Sequence, residues 1–129
     1  MPNGIVEIQM HALFDSNILI DYLNGIAAAK DELARYQSRS ISVITWMEVL
    51  AGAPPAADLE TRGFLEQFKM VGIDAKIAYR AVELRREKRM KLPDAIIFAS
   101  AQILGLLLVT RNTRDFDPNL PSVRMPYLV

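Results

Sequence analysis

Cysteine is absent and histidine occurs once, as His11, in this chain of 129 residues. Without cysteine there is neither a disulfide framework nor a thiolate site for zinc. A Ser–His or Cys–His nucleophile would have to rest on His11 alone, which opens an apolar run and reads as structural. Long apolar stretches are missing too. The run Leu106 to Val109 stops at Thr110, Arg111 and Asn112, far short of the ~20 residues that a membrane helix needs. The first ten residues lack the basic start and apolar middle of a signal peptide. The expectation is a soluble, cytoplasmic protein that does not enter a membrane. Net charge is also lacking, with 15 basic residues against 15 acidic ones. That argues against bulk, sequence-blind nucleic-acid binding, though not against a local basic patch. What the chain does have is hydrophobic content, 51% spread along its length, enough for one folded domain over residues 1–129. Residues 1–9 read as an N-terminal extension, because Met10 could itself serve as a start.

The pattern alternates strand with helix. Strands are predicted at residues 10–14, 41–44, 70–73 and 106–109, with an edge strand at 123–125. Helices are predicted at 18–23, 27–36, 45–51, 58–69 and 94–104. A further helix is capped by Asp74, carries apolar Ile77, Ala81 and Leu84, and ends at Leu92-Pro93. Residues 111–117 read as a turn or short helix. Such alternation implies a three-layer α/β/α domain on a mostly parallel sheet. In these sheets, polar residues that follow the strands gather at the carboxyl edge.

Asp15, Glu48 and Asp115 each come soon after a predicted strand, which places all three at that edge. Asp94 follows a helix instead. Its own helix, roughly 16 Å long, must cross back over the sheet before the next strand, so its N-terminus also lies at the carboxyl edge. Each acid has a local explanation as well. Thr45 and Glu48 match a capping box, Asp94 after Pro93 suits the first turn of a helix, and Asp15 and Asp115 can act as caps. Caps do not require four acids to share one edge, whereas a metal site does. Clustered carboxylates either take up protons or bind cations, and oxygen ligands of this kind suit Mg²⁺ or Mn²⁺. Arg111 and Arg114, beside the acids, are candidates to hold a phosphate. The cations from Arg80 to Lys91 read mainly as a solvated face paired with Glu83 and Glu87, with RNA-backbone contact as the other reading. Trp46 and Met47 read as core or dimer contacts.

Four segments resemble the PIN-domain family. Phe14 to Ile20 looks like its opening motif and Ser42 to Val49 its second. Lys91 to Ile97 looks like the third, and Thr110 to Phe116 the fourth. They occur in order from Met10 onward and together are specific, although Asp-Ser-Asn alone is not. The resemblance, closest in kind to the small VapC-type toxins, implies a Mg²⁺- or Mn²⁺-dependent endoribonuclease. In it Asp15 and Asp94 would be the principal metal ligands, with Glu48 a ligand directly or through water. Asp115 would be the fourth acid, a role that Asn112 or Asp117 could share. Thr110 and Asn112 would support the site, and Ser16 and Asn17 would orient the first loop. The resemblance further implies a homodimer, an RNA substrate and an antitoxin protein whose C-terminal segment covers the active site. Two rivals remain. A phosphohydrolase with Asp15 as nucleophile would resemble Asp-x-Asp enzymes, but Asn17 stands where their general acid would be. A non-catalytic PIN-like RNA-binding module would be expected to have lost acids that this chain keeps.

Overall fold

A computed structural model describes residues 11–129. The expected start of the first strand at Met10 and the extension over residues 1–9 lie outside the described residues. The chain runs β1 (His11–Phe14), α1 (Ser16–Leu23), α2 (Ala27–Ala34), β2 (Ser38–Ser42) and α3 (Val43–Gly52). A 3₁₀ turn (Pro55–Ala57) leads to α4 (Asp58–Leu65), β3 (Lys69–Val71), α5 (Ala75–Lys88) and α6 (Leu92–Leu104), and β4 (Leu107–Val109) and β5 (Val123–Arg124) follow. The five strands form one sheet in the order β3-β2-β1-β4-β5, parallel at every pairing.

Strand alternation separates two cores. Leu13 and Leu108 face one side, with Ile77, Ala81 and Leu84 of α5 and Ala95 and Phe98 of α6. Ala12, Phe14, Leu107 and Val109 face the other, with Ile18 and Leu19 of α1, Leu33 of α2, Val49 of α3 and Leu65 of α4. Side chains buried on both faces account for the unbroken apolar character of β1 and β4. The three layers expected from the sequence are therefore present. Among the described residues no helix is long and apolar enough to cross a membrane.

Several boundaries differ from the sequence reading. The second strand lies earlier than residues 41–44, because the Ser42 side chain accepts from the Ile44 amide at 3.1 Å and starts α3 there. β-branched Val43 and Ile44 thus become helical, tertiary packing overriding propensity. Thr45 sits inside that first turn, and its buried hydroxyl has no hydrogen-bond partner. The expected Thr45–Glu48 capping box is therefore not formed. Leu92-Pro93 opens α6 rather than ending α5, with proline in the first turn where no amide hydrogen bond is lost. α5 ends instead at Lys88, where the left-handed backbone of Arg89 (φ 56°) closes the helix. Helix α4 stops at Leu65, not at residue 69, whereas residues 111–117 form turns, the first of the two forms expected for them.

The topology creates a crevice. From β1 the chain leaves through α1 and α2 on one face, while α5 and α6 return it to β4 from the other. The loop that leaves β4 also packs Phe116 and Leu120 on that second face, so adjacent β1 and β4 send their connections opposite ways, and polar groups at their carboxyl ends border the gap between.

Candidate active site

Asp15 is the first residue past β1, and its amide donates to the Val109 carbonyl at 3.0 Å. This prolongs the β1–β4 pairing and leaves the side chain 5% exposed in the crevice. Its Oδ1 accepts from the Ser16 amide at 2.8 Å. Its Oδ2 accepts from the Thr110 hydroxyl at 2.8 Å and from Asn17 Nδ2 at 3.1 Å. Thr110, at the end of β4, is fully buried, and its Oγ1 in turn accepts from the Asn112 amide at 2.9 Å. Asn112 Nδ2 donates to Asp115 Oδ2 at 2.8 Å. One hydrogen-bonded chain therefore runs from Asp15 to Asp115.

Glu48 reaches the same place from the interior of α3, where its Oε1 accepts from the Ser16 hydroxyl at 2.6 Å. Asp94 stands in the first turn of α6. Burial pushes its carboxyl up, and the negative charges of Asp115, Asp15 and Glu48 push it further, to about 6, against a smaller pull from Lys91. Burial also raises Asp15, with Glu48 adding to the effect. The hydrogen bonds from Thr110, Ser16 and Asn17 oppose that rise. The structure thus brings together all four acids picked out from the sequence. Asp15 is buried and Asp94 half-buried, while Glu48 and Asp115 are exposed, so the patch opens to solvent on the side a large substrate can approach.

A divalent cation fits the donor set. The donors are hard oxygens, with no nitrogen or sulfur ligand, and the mutual repulsion felt at Asp94 is what a bound cation relieves. Among the described residues no three acids or histidines are close enough to cage an ion by themselves. Mg²⁺ does not need a cage. It keeps several waters and is usually held by one or two carboxylates together with substrate phosphate.

The two arginines expected to hold phosphate part company. The Arg111 guanidinium forms a bidentate pair with buried Asp21 of α1, one bond measuring 2.9 Å, so its donors are turned to Asp21. Arg114 is exposed, with no ion pair among the described residues. On α5, Arg80 donates to Gln102 at 2.8 Å and Arg85 to the Met90 carbonyl at 3.1 Å, which commits both to holding α5 against α6 and the turn between them. Trp46 is half-buried against the core and Met47 is exposed. Asp21 and Tyr127 escaped the sequence reading. Asp21 lies four residues after Asn17, hence on the same face of α1, and that spacing was the available signal.

A PIN domain family model matches residues 12–118. Ribonuclease VapC10 of Mycobacterium tuberculosis is 31% identical over 125 residues, covering 91% of this chain and 93% of that protein. The tRNA(fMet)-specific endonuclease VapC of Shigella flexneri is 32% identical over 117 residues, covering 81% and 89%. Among solved structures, a chain in a toxin-antitoxin complex from Klebsiella pneumoniae is 48% identical. It superposes with a TM-score of 0.85 over 92% of this chain and 99% of its own. The chain belongs to the PIN-domain family and, within it, to the VapC ribonucleases.

Proposed function

We propose that this protein is a Mg²⁺- or Mn²⁺-dependent endoribonuclease that serves as the toxin of a toxin–antitoxin pair. The observation that carries the reading is the convergence of Asp15, Glu48, Asp94 and Asp115 from four separate segments on the β1–β4 crevice. Asp15 and Asp94, the less exposed acids, are the principal ligands, with Glu48 and Asp115 completing the shell directly or through water. A bound divalent cation would supply Lewis acidity, offsetting charge on the phosphodiester and easing deprotonation of an attacking water. The chain's own groups prepare for this. Thr110, Ser16 and Asn17 fix the Asp15 carboxylate by hydrogen bonds, and Asn112 fixes Asp115. Ser16 ties Glu48 to the first loop. Of the two arginines beside the acids, Arg114 is the one without an ion pair among the described residues and is placed to meet an RNA phosphate.

The phosphohydrolase alternative loses ground, because Asn17 donates its amide to Asp15 and offers no acidic proton. The protein partner is an antitoxin, as in the complex from Klebsiella pneumoniae. A cleft of about 290 Å³ between α1, α3 and α4, lined by Ile20, Leu23, Val49, Pro54 and Ala57, supports an apolar docking segment. A homodimer and a cytoplasmic site of action complete the proposal.

Purified protein should cut RNA internally with Mg²⁺ or Mn²⁺ and stop when EDTA is added. Cleavage that persists in EDTA would overturn the proposal. In the same assay Glu48→Gln should lose at least about tenfold in rate with an unchanged melting temperature, since the residue reaches the site and caps nothing.

A further inference from the structure

Arg111 lies between Thr110 and Asn112, the residues that hold Asp15 and Asp115. Its amide donates to Asn17 Oδ1 at 3.0 Å, and Asn17 Nδ2 in turn donates to Asp15. Its side chain leaves the acids and meets Asp21 with both Nε and Nη2. Asp21 Oδ2 also accepts from the Tyr127 hydroxyl at 2.7 Å, in the segment that follows β5. Asp21 is only 6% exposed. Burial pushes its carboxyl up, but the hydrogen bonds from Arg111 and Tyr127 and the guanidinium charge outweigh that and hold it below its ordinary value. The carboxylate is therefore ionised and committed to this pair.

The geometry has a mechanical consequence. Backbone and side chain of Arg111 both grip α1, at Asn17 and at Asp21 one turn further on. The loop after β4 is thereby fixed against the helix after β1, across the crevice where the acids meet. A planar two-pronged guanidinium fixes angle as well as distance, which a lysine cannot do. We infer that Asp21, Arg111 and Tyr127 form a positioning unit that sets the spacing of Asp15 and Asp115 for the cation, so that Arg111 acts on metal affinity and not as a phosphate ligand. This rests on the metal-site reading above.

The two roles for Arg111 predict opposite behaviour when Asp21 is changed. A phosphate ligand would be released by Asp21→Asn, and RNA would bind as well or better. A positioning unit would come apart, and metal would bind worse. The experiment titrates Mn²⁺ into full-length wild type, Asp21→Asn, Arg111→Lys and Tyr127→Phe without RNA, reading free Mn²⁺ by paramagnetic resonance. Affinity for a short single-stranded RNA is measured beside it in EDTA, which withholds the metal and with it cleavage, and melting temperature for each variant. Asp21→Asn and Arg111→Lys should each lose about tenfold in Mn²⁺ affinity and Tyr127→Phe about fourfold, with RNA affinity held within about twofold. Tyr127→Phe removes one hydroxyl, so it decides the matter should Asp21→Asn fail to fold. Folded variants whose Mn²⁺ affinity stays within about twofold of wild type overturn the positioning unit alone. So does a loss of RNA affinity with a salt slope reduced by about one in Arg111→Gln, made for this arm because lysine would keep the charge. Wild type that binds no Mn²⁺ overturns the metal reading itself, and the inference with it.

Discussion

Asp94→Asn should abolish RNA cleavage and, at neutral pH without metal, make the protein more stable. The amide keeps the shape of the side chain but not its charge, so the site loses a principal ligand. Activity should fall by at least about 100-fold at saturating Mg²⁺. The stability gain follows from the raised carboxyl. Asp94 in the folded protein holds its proton up to about 6, against 3.8 for an ordinary aspartate. The folded state thus binds the proton more tightly than the unfolded chain, and stability falls as pH rises from about 4 through about 6. A shift of that size corresponds to about 3 kcal/mol in full. Solvent screening and the lost charge at a helix N-terminus bring the net gain to on the order of 1 kcal/mol. Melting curves of metal-free wild type should therefore decline between pH 5 and pH 7.5, and those of Asp94→Asn should decline less. Below the ordinary carboxylate range the trend reverses. Asp21 and Glu32, both held low through pairs with Arg111 and Arg124, then protonate and lose those pairs. A variant that is inactive and less stable at pH 7.5 would indicate a structural role for Asp94 instead.

Expression of the wild-type chain alone should stop growth, and Asp15→Asn should not. Asp15 accepts three hydrogen bonds in the crevice, and the amide would keep at most part of that arrangement while removing the charge. Colony counts should fall by orders of magnitude for the wild type and stay near the uninduced level for the variant. Co-expression of the cognate antitoxin should restore the wild type. Growth arrest by both proteins would mean that toxicity does not arise from cleavage at this site. Full growth with soluble, RNA-cleaving wild type would remove the toxin reading and leave the nuclease.

Much of this architecture was legible because the signals were local and repeated. Alternating segments set the layers, and the acids that follow β1, β2 and β4 fall at one edge by topology alone. Asp94 required only the length of α6. What could not be read were features decided by tertiary contact. Val43 and Ile44 have strand propensity, yet Ser42 converts them into the first turn of α3. That one shift removed the capping role open to Glu48 and left it directed at Ser16. Arg89 adopts a left-handed backbone that its residue type does not announce, so sequence alone puts the break between α5 and α6 at Pro93. The Asp21–Arg111–Tyr127 contacts span 90 and 106 positions in sequence, beyond the reach of any periodicity. Adjacency alone therefore pairs Arg111 with Arg114, although the Arg111 side chain turns to Asp21.

The central claim is that these carboxylates hold a divalent cation at the end of β1. Crystals of the protein grown with Mn²⁺, measured at the manganese absorption edge, test it most directly. An anomalous peak is expected roughly 2.1 Å from carboxylate oxygens of both Asp15 and Asp94, and it should disappear in Asp94→Asn. A protein that cleaves RNA in Mn²⁺ but shows its peak away from these two side chains would contradict it.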